Sequence, residues 1–396
     1  MNFRNRFTIA AQTLGAAFIV AILVAACGGG GGPSGFVQSY TTSVGAGDIL
    51  QFRVDTGNMV YSVKVIETSY SASAVGLGPA SAVSLTESTT GMLSSRNAVG
   101  SYNVMPSIDG FIQGGEVYPL QNGIFVGHVI INPIGGSLRQ IPVFGGANAM
   151  TSLAGLAGEY NVQGFGCNVR SRGLVTGGAC ANHYGTAWIT PVTGGASAAI
   201  TTCDFGNLTS AAGSTGSTAT GCAPVGSRTP SGSTPTKTGN LVTTATPGVY
   251  NFMTDSVHRA WLFAFSVAGQ NIAVFDYDDI NAPSIFGFGH AVAIAQTSVM
   301  TSMQSGQMNG YYFVTNNIGG RHLLTITGTS TGASYTDNDT DLGIATPGTL
   351  TPDSPWPGLV TYTTSATSGV ADIATAGAFT YTSNTVPYLF GVGLRY

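Results

Sequence analysis

Charge is what this chain has least of: 8% of its 396 residues are Asp, Glu, Lys or Arg, and only Lys64 and Lys237 are lysines. No basic stripe exists to follow a phosphate backbone, which argues against nucleic acid as a partner. Outside the first 26 residues there are no long runs of Ala, Leu, Glu, Lys and Arg at helical spacing, and helices depend on those residues. Gly, Ser and Thr take their place, so an all-β chain is expected. No apolar run reaches the roughly twenty residues that a bilayer-spanning helix needs.

The longest apolar run, Leu14 to Ala26, follows the positive charges of Arg4 and Arg6. That order marks residues 1–26 as a cleavable secretory signal. It ends in Leu23-Val24-Ala25-Ala26-Cys27, which resembles the lipobox of bacterial lipoproteins. The resemblance implies diacylglycerol on the Cys27 sulfur, cleavage before Cys27 and acylation of the new amine. Two or more acyl chains hold a protein stably at a membrane. Residues 27–35 are glycine-rich and read as a tether of about 15 Å root-mean-square reach. No Asp follows Cys27, which in lipoproteins of Gram-negative type implies the outer membrane. Whether the chain then faces the periplasm or the cell surface is left open.

Removing Arg4 and Arg6 with the signal leaves eleven basic against seventeen acidic residues, a net charge of −6. Four cysteines remain beyond Cys27: Cys167, Cys180, Cys203 and Cys222. An even number in an exported protein reads as disulfides. Pairing Cys167 with Cys180 and Cys203 with Cys222 would close two local loops, each worth on the order of 3 kcal/mol. The three possible pairings stay open. A zinc site is disfavoured because no CxxC pair occurs and His183 is the only nearby histidine.

Repetition governs the expected architecture. The string Gly-x-Tyr, then Asn or Phe, then Val or Phe, occurs at Gly100, Gly158, Gly248 and Gly310, with spacings of 58, 90 and 62 residues. The long spacing contains the low-complexity stretch from Gly206 to Gly239. A second repeat is gapless: Phe275, Tyr277, Pro283, Phe286, Gly287 and Gly289 recur 104 residues later as Phe379, Tyr381, Pro387, Phe390, Gly391 and Gly393. Core packing explains these aromatics better than ligand contact does. Hairpin signals include Thr56-Gly57-Asn58 and Gly269-Gln270. Repeated antiparallel β units are expected to form two sandwich- or barrel-like domains, 36–150 and 151–396, the second with a cysteine-bearing insert at 167–239. A propeller of about six blades is the alternative.

Candidate chemistry is sparse. Gly328-Thr-Ser330-Thr-Gly332 matches a nucleophile elbow, but no histidine follows Ser330 and the next residues are turn-like. Asp337, Asp339 and Asp341 alternate as calcium ligands can, yet Leu342 takes the glycine position of an EF-hand loop and Gly348 that of its bidentate Glu. Asp276, Asp278 and Asp279 form another acidic turn, the basis of a rival reading as a glycan-acting envelope enzyme. The histidines, His128, His183, His258, His290 and His322, show no metal-ligand spacing. No catalytic residue and no cofactor is assigned. The C-terminus, Phe390-Gly-Val-Gly-Leu-Arg-Tyr396, alternates like the last strand of an outer-membrane barrel, but its near-copy sits mid-chain.

The lipobox with its Gly run, the Gly-x-Tyr repeats, the glycine-rich cysteine region and the Gly-Val-Gly ending together resemble lipoproteins of Burkholderia-type bacteria grouped as domain of unknown function 2957. The resemblance implies no activity. The expectation from sequence is a lipid-anchored, non-catalytic envelope protein that binds or contacts an unidentified ligand or protein; a lipidated transmembrane barrel is the third reading.

Overall fold

The computed structural model describes residues 35–45, 47–68, 88–94, 100–131, 139–167, 180–191, 197–204, 237–254, 256–277, 288–319, 321–339, 342–354, 358–386 and 389–396. The expected signal, residues 1–26, and Cys27, Cys222, Asp278, Asp279 and Asp341 lie outside these residues. Three eight-stranded antiparallel meanders follow one another along the chain. Barrel 1 holds β1 (Val37–Ser43), β2 (Asp48–Asp55), β3 (Val60–Thr68), β4 (Ser88–Met92), β5 (Tyr102–Val104), β6 (Ile112–Pro119), β7 (Ile124–Ile131) and β8 (Arg139–Gly146). Barrel 2 holds β9 (Gly158–Cys167), β10 (Cys180–Pro191), β11 (Ser197–Asp204), β12 (Lys237–Thr243), β13 (Val249–Thr254), β14 (Val257–Val267), β15 (Gln270–Tyr277) and β16 (Phe288–Ala295). Barrel 3 holds β17 (Gly310–Asn316), β18 (Arg321–Thr329), β19 (Gly332–Asp339), β20 (Ile344–Pro352), β21 (Leu359–Thr364), β22 (Ser368–Ile373), β23 (Ala378–Ser383) and β24 (Phe390–Arg395).

Barrels 2 and 3 close fully, last strand on first. Barrel 1 pairs β8 with β1, and a single bridge, Leu93 to Val104, joins its two edge strands. The expected repeated antiparallel barrels are therefore present, but they number three rather than two, and the segment 151–396 contains two of them. The sheets are antiparallel meanders, two closed and one nearly closed, not propeller blades.

The repeats explain the miscount. Gly158 and Gly310 open β9 and β17, the first strands of their barrels, whereas Gly100 and Gly248 precede β5 and β13, the fifth strands. A period near sixty is thus half a barrel, four strands long. All four glycines have positive φ, between 79° and 154°, which a side chain would oppose. The tyrosine two residues on is buried each time. Tyr160 and Tyr312 each donate to the carbonyl four residues earlier, Leu156 and Met308, at 2.8 Å, and Tyr250 donates to Met150 at 2.5 Å. The 104-residue repeat superposes the seventh and eighth strands of barrels 2 and 3. The tight turn expected at Gly269-Gln270 sits one residue earlier, on Ala268 and Gly269, both at positive φ.

Each barrel packs against the other two. Phe144 meets Phe265, Phe165 meets Phe390 and Tyr118 meets Phe313 at ring separations of 5.9–6.3 Å. Phe390, Val392 and Leu394 of β24 point out of barrel 3 into this shared apolar junction and are fully buried. Polar side chains cross the seams as well. Gln163 donates to the Val370 carbonyl at 3.0 Å and accepts from Thr380 at 2.8 Å, and Asn182 donates to the Ser383 and Leu389 carbonyls. Between barrels 1 and 3, Arg321 pairs with buried Glu116 at 3.2 Å.

Candidate functional site

Asp276 and His290 stand opposite each other on β15 and β16, and Ser43 reaches them from the end of β1. The Ser43 hydroxyl donates to Asp276 at 2.6 Å and lies 3.2 Å from His290 Nδ1. The residue types suggest a hydrolase, but all three side chains are fully buried. Asp276 also accepts from the Gly45 and Gly47 backbone N–H groups at 3.1 and 2.6 Å. Its carboxylate is a strut holding the β1–β2 turn onto barrel 2, so it does not face the cleft that a glycan-acting acid requires. Ser330 lies at the exposed β18–β19 hairpin, without the helix a nucleophile elbow requires.

The interior of barrel 3 is different. It encloses a cavity of about 200 Å³. A short helix, α1 (Met300–Gln304), closes one end, seating buried Met303 beneath the strands. Asp353 pins this plug, accepting from the Ser298 hydroxyl and from the Val299 and Met300 N–H groups. Those hydrogen bonds outweigh partial burial and hold its carboxyl below the usual range. Period-2 alternation then sends Ile326, Leu350, Ile373 and Phe379 inward near the plug.

Tyrosines form the next level. Tyr335, Tyr362 and Tyr381 meet edge to face at 6.3–6.5 Å, and Phe379 continues the wall to Tyr312 at 5.9 Å. Inward glycines on neighbouring strands make this possible. A Cβ on Gly391 would lie 2.2 Å from the Tyr381 ring, and one on Gly393 would lie 2.3 Å from the Phe379 ring. Burial pushes the Tyr335, Tyr362 and Tyr381 hydroxyls up and that of Tyr312 to about 12, so all four stay protonated at neutral pH.

At the other end, His322 Nδ1 and Asp337 Oδ1 are 3.0 Å apart, with side chains 21% and 31% exposed. Solvent therefore reaches the cavity here. Asn316 donates to the Tyr381 hydroxyl at 3.3 Å beside them. Ser383, also on the lining, is engaged by Thr385 and by the backbone N–H groups of Thr385 and Val386. The whole is an apolar, aromatic-walled pocket with a few polar groups at its mouth, the usual composition of a small-molecule site.

Asp337, one of three alternating calcium candidates in the sequence, lies on β19 as a cavity-lining partner of His322. Asp339 instead accepts from the Leu342 N–H in the following turn. Among the described residues no three His, Cys, Asp or Glu side chains gather as a metal site. His128 is half-buried between barrels 1 and 3 against Thr315, and His258 packs on Trp261. Cys167 stands opposite Cys180 in the backbone register, and Cys203 opposite Thr186. The side chains of these cysteines and of His183 lie outside the description. Tyr335, Tyr362 and Leu324 line the pocket without having been singled out in sequence; inward alternation on β18, β19 and β21 was the available signal.

No family model matches the chain, and no curated sequence does. Among solved structures, the chain is similar to a protein of unknown function from the DUF3598 family of Nostoc punctiforme. The identity is 8%, the coverage 66% of this chain and 94% of that one, and the TM-score 0.22.

Proposed function

We propose that this chain is a lipoprotein of the bacterial envelope, held at the outer membrane through acylated Cys27, whose third barrel binds a compact apolar molecule bearing one polar head. The observation that carries the binding reading is the cavity inside barrel 3. A dry cavity of about 150 Å³ is enough for a benzene ring, so about 200 Å³ suits a single substituted ring or a short branched chain. The ring would lie among Leu324, Ile326 and Phe379, and a hydroxyl would exchange hydrogen bonds with His322, Asp337 and Asn316.

The anchoring reading draws on the lipobox and the glycine tether; membership of the lipoprotein group with domain 2957 is part of the same proposal. Burial of Phe390, Val392 and Leu394 in the junction between barrels favours it over a transmembrane barrel, which needs such residues to face lipid. Calorimetric titration of the mature protein with phenols and short-chain alcohols tests the pocket. Saturable binding is expected, lost in Leu324→Trp, which fills the cavity. Absence of binding to every such compound overturns the reading.

A further inference from the structure

We infer that the outer wall of barrel 1 beside the tether is a membrane-facing surface, resting directly on the lipid bilayer to which Cys27 is anchored. This rests on the anchoring reading above. The observation behind it is a row of apolar side chains on a protein that otherwise exposes few. Among the described residues, five of the eleven exposed large apolar side chains lie here: Val37, Val60, Met92, Met105 and Ile108, with Met92 64% and Ile108 87% exposed.

Strand pairing makes them neighbours. Val37 is opposite Asp55, Asp55 opposite Val60, and Val60 opposite Met92. The Met105 N–H donates to the Met92 carbonyl and the Ile108 N–H to that of Thr90, both at 2.9 Å, continuing the row onto the next segment. Asp55 is in the row, but its carboxylate turns onto the β2–β3 turn, where it accepts from Gly57 and Asn58. Contiguous exposed apolar surface on a soluble domain marks an interaction site.

Two independent features identify the occupant. The chain enters barrel 1 at this same end, where the Phe36 N–H is tied to Thr56 of the β2–β3 turn at 2.8 Å. Eight residues separate Cys27 from Phe36, and at about 15 Å of reach they keep the row close to the headgroups. Next to the apolar row, exposed Arg53 and Lys64 project from the same outer face of β2 and β3. In a chain with two lysines in all, apolar side chains flanked by cations match the boundary between acyl chains and anionic headgroups.

The test uses the full mature chain carrying Cys27→Ser, so that no acyl group contributes, sedimented with vesicles of phosphatidylethanolamine and phosphatidylglycerol. Salt-sensitive binding is expected, falling roughly tenfold in Met92→Glu/Met105→Glu and unchanged in Leu342→Glu, an exposed apolar site on barrel 3. Should the methionine pair impair folding, Arg53→Glu/Lys64→Glu is expected to weaken binding while leaving the circular dichroism spectrum intact. Equal binding by the folded variants and the parent, or no binding by the parent, overturns the surface. The anchor is read separately by intact mass of membrane-extracted protein. An unacylated mass overturns the anchor, while vesicle binding lost with Met92 and Met105 still supports the surface.

Discussion

Barrels 1 and 3 are the same eight-strand meander with opposite interiors. In barrel 1, Phe125 sits between Tyr40 and Phe52 at 5.2 Å from each, with interplanar angles of 23° and 32°, and Phe52 continues to Tyr61. The rings lie across the middle and fill it. In barrel 3 the rings meet edge to face around the wall and leave the axis empty. Glycine placement accounts for much of the difference: Gly348, Gly369, Gly391 and Gly393 each leave room for an aromatic ring on an adjacent strand. Among the described residues barrel 1 uses that device at Gly91, beside Tyr61. An eight-stranded barrel is just wide enough for side chains to fill or to hold one small ligand, so where the rings lie decides between core and pocket.

The largest effect should come from emptying the filled barrel. Phe125→Ala is expected to cost about 3–5 kcal/mol, the range for a buried aromatic. Leu324→Ala, which only widens an existing cavity, should cost under about 2 kcal/mol. Urea denaturation measures both, and equal losses would break the comparison.

Acid should next loosen the seam that joins the filled barrel to the hollow one. Burial lowers the His128 imidazole to about 4, with Glu116 opposing and Arg321 adding to the shift. Its folded value lies below its unfolded one, so the native state holds it neutral. The associated stability is present above about pH 6.5 and is lost as pH falls toward about 4, up to about 3 kcal/mol in total. Denaturation at the two ends of that window, beside His128→Gln, reads this term; the variant should flatten it.

Smaller still is the effect of putting a methyl group where the pocket wall has none. Gly391→Ala should cost about 1–3 kcal/mol by forcing the Tyr381 ring inward, and it should weaken ligand binding at the same time. Unchanged affinity in titrations of that variant would detach the glycines from the pocket.

The smallest expected change is a gain. Asp372 faces Asn161 across the seam between barrels 2 and 3, fully buried, and burial holds its carboxyl well above the usual range. Its contribution to stability therefore falls as pH rises above about 3.9. Asp372→Asn is expected to remove that slope and raise Tm slightly at neutral pH.

Much of the fold was legible. Alternation and the shortage of helix formers gave the strands, and the Gly-x-Tyr strings marked the first and fifth strands of barrel 2. The number of barrels was not, because a half-barrel period looks like a unit and the first strand of barrel 1 carries Gln38-Ser-Tyr40 without the glycine. The pocket was legible only in fragments. Phe379 and Tyr381 read as core, and Phe379 is buried while Tyr381 is partly so, yet their role as a wall depends on Gly391 and Gly393 facing the same interior one strand away. Asp337 read as a calcium candidate or turn residue because its polar neighbours mask the strand; pairing of β18 with β19, Leu324 opposite Asp337, brings it to His322. Ser43, Asp276 and His290 come together from two barrels, a meeting that no local spacing announces.

A crystal of the mature protein soaked with p-cresol tests the pocket most directly. The ring is expected among Leu324, Ile326 and Phe379, its hydroxyl toward His322 and Asp337, with no ligand inside barrel 1. An empty third barrel, or cresol bound only on the outer surface, would contradict it.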